Sequence, residues 1–345
     1  MPILSEQELR EFTLDVLTRL GTPPDAAEVV CNTLVGANLV GHDSHGVLRL
    51  TTYAQWVREG LIRPTVEPQV ARRQGATAHV EGGWGWGPVG ARLAAATAID
   101  LARSYGVGAV TLDHCAHIGR MGEYVEMMAA AGMTGMAVCN HYPSVAPFGG
   151  RERMLGTNPF AFGAPGGAEA GAPAGPPVIV DFATAGVAEG KLRVARAKGE
   201  RVGPGLIVDC DGQPSQEPDA FYAGGALLPF GGHKGYGIGL MVEILGGILS
   251  GAAPGVLPIF AGANGSLFLA LNVGAFVAPE VYAAQMGELA RTIGGSQPAA
   301  GGERVLLPGE PERLTAQRRK VEGIPIPEAT WDELRALRQR ITEAV

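Results

Sequence analysis

The sequence predicts an α/β fold: an α/β domain in the middle of the chain and a helical domain assembled from both of its ends. Three observations predict it. Apolar residues recur at helical spacing through residues 9–37 and again through 334–341. Between them, short alternating or apolar runs are separated by helical stretches, the pattern of strands interleaved with helices. The chain has 345 residues, more than the roughly 250–300 over which a single core keeps growing. The expected division is 1–73 with 312–345 for the helical part and 74–311 for the α/β part.

Ser5 followed by Glu8 forms a capping box, each side chain reaching the other's backbone amide. Leu9, Phe12, Val16 and Leu20 then share a face. Gly21-Thr22-Pro23-Pro24 stops that helix, and Asp25 is a candidate cap for the next, with Val29, Val30, Leu34 and Ala37 on its apolar side. Residues 46–65 read as a third helix with a turn at Gly60. Strands are expected at 76–80, 108–112, 135–139, 178–182, 266–271 and 274–277. Helices are expected at 89–105, 123–131, 188–199, 236–249 and 329–343, the last capped by Thr330. The Gly- and Pro-rich stretch 166–177 reads as a flexible surface loop.

Composition excludes several functions. Net charge is −7 with no Lys/Arg-rich run, so the electrostatic footprint of a nucleic-acid binder is missing. The longest apolar run, 238–249, is broken by Glu243 and three glycines and falls short of the ~20 residues of a membrane span. The first residues lack a basic segment followed by an apolar one, so no secretory signal is expected. Cys31, Cys115, Cys139 and Cys210 are scattered, which fits a reducing cytoplasm.

Gly85-Trp86-Gly87-Pro88-Val89-Gly90 matches GxGxxG between a strand and a helix, and Asp113 ends the next strand about 20 residues on, where a ribose-binding acid belongs. The competing reading is a plain strand-to-helix turn. Trp84 and Trp86 would crowd a pyrophosphate, and Pro88 removes an amide donor. From these residues alone a Rossmann dehydrogenase stays open.

Longer motifs then recur in order: Gly41-His42-Asp43-Ser44-His45-Gly46-Val47, His117-Ile118-Gly119-Arg120-Met121-Gly122-Glu123-Tyr124, Gly156-Thr157-Asn158-Pro159-Phe160-Ala161-Phe162, Asp181-Phe182-Ala183-Thr184-Ala185, Leu228-Pro229-Phe230-Gly231-Gly232-His233-Lys234-Gly235-Tyr236-Gly237 and Leu307-Pro308-Gly309-Glu310. Together they resemble the type-2 malate/L-lactate dehydrogenase family, whose relatives include ureidoglycolate, sulfolactate, diketogulonate and cyclic-imine carboxylate enzymes. The likeness covers nearly the whole chain. It implies a non-Rossmann fold with a mainly antiparallel mixed sheet, a helical domain and a homodimer. It also implies NAD(H) or NADP(H) as cofactor, a small carboxylate as substrate and no metal. Residues 85–90 then become a structural turn.

Reducing a 2-oxo or 2-imino acid needs a hydride source, a proton donor at the oxygen or nitrogen, and an anchor for the carboxylate. His117 and His45 are the candidate proton carriers, since histidine titrates near neutrality. The resemblance places either in that role; His117 is preferred, with His45 on the substrate side. Arg49, four residues after His45, offers a planar fork to a carboxylate, unless a nearby acid such as Asp43 takes it. Ser44 adds a hydroxyl. Lys234 and Gly235 lie in a glycine-rich loop where backbone approaches a ligand closely and lysine brings a point charge. By resemblance Asn158, the backbone of Asp181, Phe182, Ala183 and Thr184, and Pro308, Gly309 and Glu310 line the cofactor. By residue chemistry alone, Asp181 could instead cap the following helix. His114, Cys115, His117, Cys139 and His141 fit no standard zinc spacing. The family has a small polar residue where this chain has His141. A protein that binds an acidic metabolite without turning it over is the alternative from another functional class.

Overall fold

The computed structural model describes residues 1–168 and 175–343. Its centre is a seven-stranded sheet in the order Gln69–Gln74, Thr77–Glu81, Val107–Asp113, Ser266–Asn272, Met133–Cys139, Phe160–Ala164 and Val178–Phe182. One neighbouring pair, Thr77–Glu81 with Val107–Asp113, is parallel; every other pair in this sheet is antiparallel. The parallel pair is joined by the helix Gly87–Tyr105, since parallel neighbours need a long crossover. That helix lays Ala91, Ala94, Ala95, Ala98 and Ala102, all fully buried, against the sheet. Alanines at helical spacing let helix and sheet approach closely. The helix Gly122–Ala130 adds Tyr124, Val125 and Met128 to the same core.

A second core joins the chain's ends. Leu9, Val16, Leu17, Val30, Leu34, Leu50 and Tyr53 pack with Ile324, Ile326, Leu334 and Leu337, and the strand pair Ile3–Leu4 with Ile324–Pro325 ties them. A small third core gathers Val145, Leu155, Leu192, Ile207, Phe221 and Leu227 around a three-stranded sheet.

Several expectations are corrected. The helix Pro24–Leu39 starts one residue before Asp25, and its flanking Pro23 makes no side-chain cap bond, because proline at the first helical position needs no amide partner. Thr330 lies inside the helix Glu328–Glu343 rather than ahead of it. Residues 274–277 are not a strand. Asn272 accepts from the Gly274 amide at 3.1 Å and turns the chain into a 3-10 helix, Val273–Ala275. The third helix is shorter than expected, Arg49–Arg58, after a separate 3-10 turn Asp43–His45. Half of the 166–177 stretch, residues 169–174, lies outside the described part. Among the described residues no helix is long and apolar enough to cross a membrane.

Candidate active site

The 41–49 segment is bolted in place from both sides. Asn38 Oδ1 accepts from the Val47 amide at 2.8 Å, and Asn38 Nδ2 donates to Asp43 at 2.7 Å. Asp43 receives both ends of the Arg319 guanidinium, at 2.7 and 3.0 Å. Arg319 comes from the helix Glu310–Glu322, so the C-terminal part of the chain fixes this loop. Gly46 is required here: a Cβ would lie 2.2 Å from Asn38 Oδ1.

Because Arg319 occupies Asp43, Arg49 is left for another anion. Its Nε donates to the Ser44 carbonyl at 2.8 Å, which fixes the plane of the guanidinium and leaves its terminal nitrogens to point onward. No acid pairs with it among the described residues. Ser44 Oγ lies 3.1 Å from His45 Nδ1.

His117 arrives from the other core. Its ring stacks on His45 at 5.4 Å between centroids, 22° from parallel. Its Nδ1 is held by Tyr53 Oη at 2.8 Å and accepts from the Gly119 amide at 3.3 Å. An amide can only donate, so in the neutral ring the proton sits on Nε2, the nitrogen left for a substrate. Burial, then Arg49, His45 and His141, hold His117 well below the usual histidine range. Burial, then Arg49, His42, Arg120 and His141, push His45 down to about 3. Burial and Arg49 take His141 to about 4. Three neutral histidines around one half-buried guanidinium make a site whose net field is positive and which favours an anion.

The expected cofactor residues form an adjoining group. Phe182 is 36% exposed and meets Phe230 edge-on at 5.4 Å. The Phe230 amide donates to the Thr184 carbonyl at 3.0 Å, and the Ile179 amide donates to Pro308 at 3.0 Å. These contacts draw 178–184, 228–235 and 307–310 together. Lys234 is exposed at the second position of the helix His233–Val242, which follows Gly231 and Gly232, both with positive φ. Gly235 is buried with its Cα against Phe230. Ala183 is half-buried in the turn that follows Phe182. Gly309, φ 90°, starts the helix Glu310–Glu322, and Glu310 accepts from the Leu307 amide and pairs with Arg304 and Arg313. Asp181 accepts from the Gly122 amide at 2.7 Å: it caps the helix Gly122–Ala130, distant in sequence, rather than the one after it. That bond links the strand Val178–Phe182 to the segment carrying His117 and Arg120.

Asn158 is fully buried, and its Nδ2 donates to Gly239 O at 3.0 Å and to Glu243 at 2.9 Å. Glu243 also accepts from Asn140, Gly156 and Gly255. It is the hub of the turn that places Asn158, and the sequence signal for it is a single acid inside an apolar run. Tyr53 carried no signal beyond helical periodicity.

The sequence profile of the malate/L-lactate dehydrogenase family matches residues 4–335. A malate dehydrogenase of Pyrococcus abyssi is 37% identical, over 98% of this chain and 94% of its own length. An L-sulfolactate dehydrogenase of Methanothermobacter thermautotrophicus is 35% identical, over 97% of this chain and 95% of its own. This chain belongs to the malate/L-lactate dehydrogenase family. The crystal structure of the delta1-piperideine-2-carboxylate reductase of Pseudomonas syringae pvar. tomato superposes with a TM-score of 0.85 at 31% identity, over 98% of this chain and 100% of that one. The protein is accordingly an oxidoreductase, with relatives named as dehydrogenases and reductases of small hydroxy acids and their kin.

The family's fold also explains the GxGxxG match. Residues 85–90 do sit at a strand-to-helix turn of a βαβ unit, which is why they read as a fingerprint. Their missing side chains make room for the protein itself: a Cβ on Gly87 would lie 2.3 Å from the His117 carbonyl oxygen, and one on Gly85 2.5 Å from that of Val66. We therefore expect Gly87→Val to lower Tm by several degrees through overpacking of about 1–3 kcal/mol or more. A folded Gly87→Val protein with unchanged Tm and a selective loss of dinucleotide affinity would restore the Rossmann reading.

Proposed function

We propose that the protein uses a nicotinamide dinucleotide to interconvert a small 2-oxo or cyclic 2-imino carboxylate and its reduced 2-hydroxy or amino form. The observation that carries this is Arg49. It is a guanidinium fixed by Ser44, with no acid partner among the described residues, and its charge acts on the stacked His45 and His117.

The residues around 178–184, 228–235 and 307–310 fit a dinucleotide. An exposed aromatic face at Phe182 suits a planar ring. Lys234 at a helix start, after two glycines in left-handed backbone, suits a pyrophosphate. A cleft of about 320 Å³ lined by Val178, Ala290, Pro308, Gly309 and Arg313 adjoins them. When bound in its reduced form, the nicotinamide supplies the hydride.

The chain's own groups supply the rest. Arg49 holds the substrate carboxylate, with Ser44 as a second donor. Neutralising Arg49 removes part of what keeps His117 neutral, so substrate binding favours proton uptake by His117. In the imidazolium Nδ1–H donates to Tyr53 Oη, which can accept as well as donate. Nε2–H is then given to the substrate oxygen or nitrogen as the C=O or C=N π pair moves onto that atom, the hydride having bonded to the carbon. Oxidation of the hydroxy acid runs the same path backwards.

The test crosses NADH and NADPH with pyruvate, oxaloacetate, sulfopyruvate and cyclic imine carboxylates. Loss of reduced-nicotinamide absorbance with at least one pair is expected. Cofactor and acid binding without turnover would favour the binding-protein reading instead, and no cofactor binding at all would end the proposal. We also place the active form as a homodimer. Leu240, Met241, Ile244, Ile248 and Leu249 are exposed on one stretch, an apolar surface of the kind a second copy covers.

A further inference from the structure

A second group of ligand-type side chains lies outside the pocket, where the parallel strands end. His79 and Glu81 share one face of their strand, being two residues apart. The parallel register sets His79 beside Thr111 and Glu81 beside Asp113. His114 follows with φ 44°, a left-handed backbone rare for histidine, which turns its ring back toward Glu81. Three groups of metal-ligand type, His79, Glu81 and Asp113, therefore converge with ligand atoms within 4.8 Å of one another, and His114 lies beside Glu81 and Asp113.

Asp113 sets the problem. It is 6% exposed, and its Oδ1 has no hydrogen-bond partner, an expensive state for a carboxylate oxygen. The two nitrogens nearest to it are His79 Nε2 at 3.3 Å and His114 Nδ1 at 3.4 Å. Neither makes a hydrogen bond to it; His114 Nδ1 is engaged with Glu81 at 2.9 Å. His79 Nδ1 meets Thr111 Oγ1 at 3.0 Å. In the tautomer whose Nδ1–H donates to Thr111, Nε2 presents its lone pair toward Asp113 Oδ1, the arrangement in which both atoms can ligate one cation; in the other, Thr111 donates to Nδ1 and Nε2–H points at the carboxylate. Ligand–ligand edges of about 3.4 Å are what a tetrahedral ion with bonds near 2.1 Å requires. A ligating histidine is oriented by a hydrogen bond from its far ring nitrogen, a place the Thr111 hydroxyl takes here.

We propose that His79, Glu81 and Asp113, completed by His114, form a binding site for one first-row divalent metal ion, with zinc the best match to two imidazoles and two carboxylates. The two carboxylates balance the ion's charge. Side-chain exposures of 40% at Glu81 and 43% at His114 leave an entry path from solvent. The site's role is structural. The Gly82 amide donates to Asp113 O at 3.0 Å and the Trp84 amide to His114 O at 2.6 Å, so an ion there pins the glycine turn to the segment that continues into His117. Asp113, which the Rossmann reading would give to a ribose, is in this view a metal ligand.

The test uses the untagged full chain, stripped with chelator and titrated with ZnCl2 by calorimetry, with elemental analysis of the gel-filtered product. One ion per chain and a raised Tm are expected, with at least a tenfold loss of affinity in Asp113→Asn and in His79→Gln. His117→Ala should bind as tightly as the parent chain, which separates this site from the histidines of the active site. Should the buried Asp113 variant not fold, the half-exposed Glu81→Gln decides by the same affinity loss. Absence of saturable one-to-one binding would overturn the proposal, as would binding unaltered by these variants or lost in His117→Ala.

Discussion

Replacing His117 by alanine is expected to lower kcat by about 10²–10⁴-fold, the range for removing a positioned general acid–base group, while the dissociation constant of the nicotinamide cofactor stays within about twofold. The size follows from how the ring is held. Tyr53 and the Gly119 amide both address Nδ1, so the orientation of Nε2 is fixed before substrate arrives, and little reorganisation remains for the reaction itself. Among the described residues, the His45 ring has one hydrogen-bond partner, the neighbouring Ser44 hydroxyl. His45→Ala is therefore expected to raise KM more than it lowers kcat. Steady-state kinetics of the two variants, with cofactor affinity followed by nicotinamide fluorescence, separate the roles. An unchanged kcat in His117→Ala would move the proton transfer to His45.

What the sequence made legible was whatever is contiguous. Ser44, His45 and Arg49 lie within six residues of chain, so their chemistry could be read together. The helix Gly87–Tyr105 and the strand Val107–Asp113 announced themselves by periodicity. Contacts made only by folding stayed hidden. Tyr53 looks like one more apolar position of its helix until His117, 64 residues away, is found on its hydroxyl. Arg319 is an ordinary charge in a polar helix until it removes Asp43 as a partner for Arg49. The strand Gln69–Gln74 was missed because its residues are mostly exposed and polar, as an edge strand's are. Phe160–Ala164 was masked by the glycines and prolines around it. The GxGxxG turn misled for a physical reason: glycine permits close approach whether the approaching group is a phosphate or, as here, the backbone of residues 116–117.

Arg49→Ala is expected to lower kcat/KM for the acid substrate by roughly 30- to 5,000-fold, corresponding to about 2–5 kcal/mol for removing one partner of a desolvated, hydrogen-bonded charge pair, with most of the change in KM. A conservative replacement tests the geometry. Arg49→Lys keeps a positive charge but loses both the fork that binds a carboxylate at two oxygens and the Nε bond to Ser44 that fixes its plane; it is expected to fall between the parent and the alanine variant. The same guanidinium also acts on the proton. Arg49 is among the charges that hold His117 and His45 below the usual histidine range, after burial. Removing it raises both pKa values in the free protein. For reduction, which needs a protonated His117, activity is lost as pH rises through that pKa. The alkaline limb of the kcat/KM profile should therefore move to higher pH in Arg49→Ala, even as its height falls. A mere packing role for Arg49 would depress the profile without displacing it. An unaffected KM with an unmoved profile would remove Arg49 from the site altogether, and with it the carboxylate anchor on which the substrate class rests.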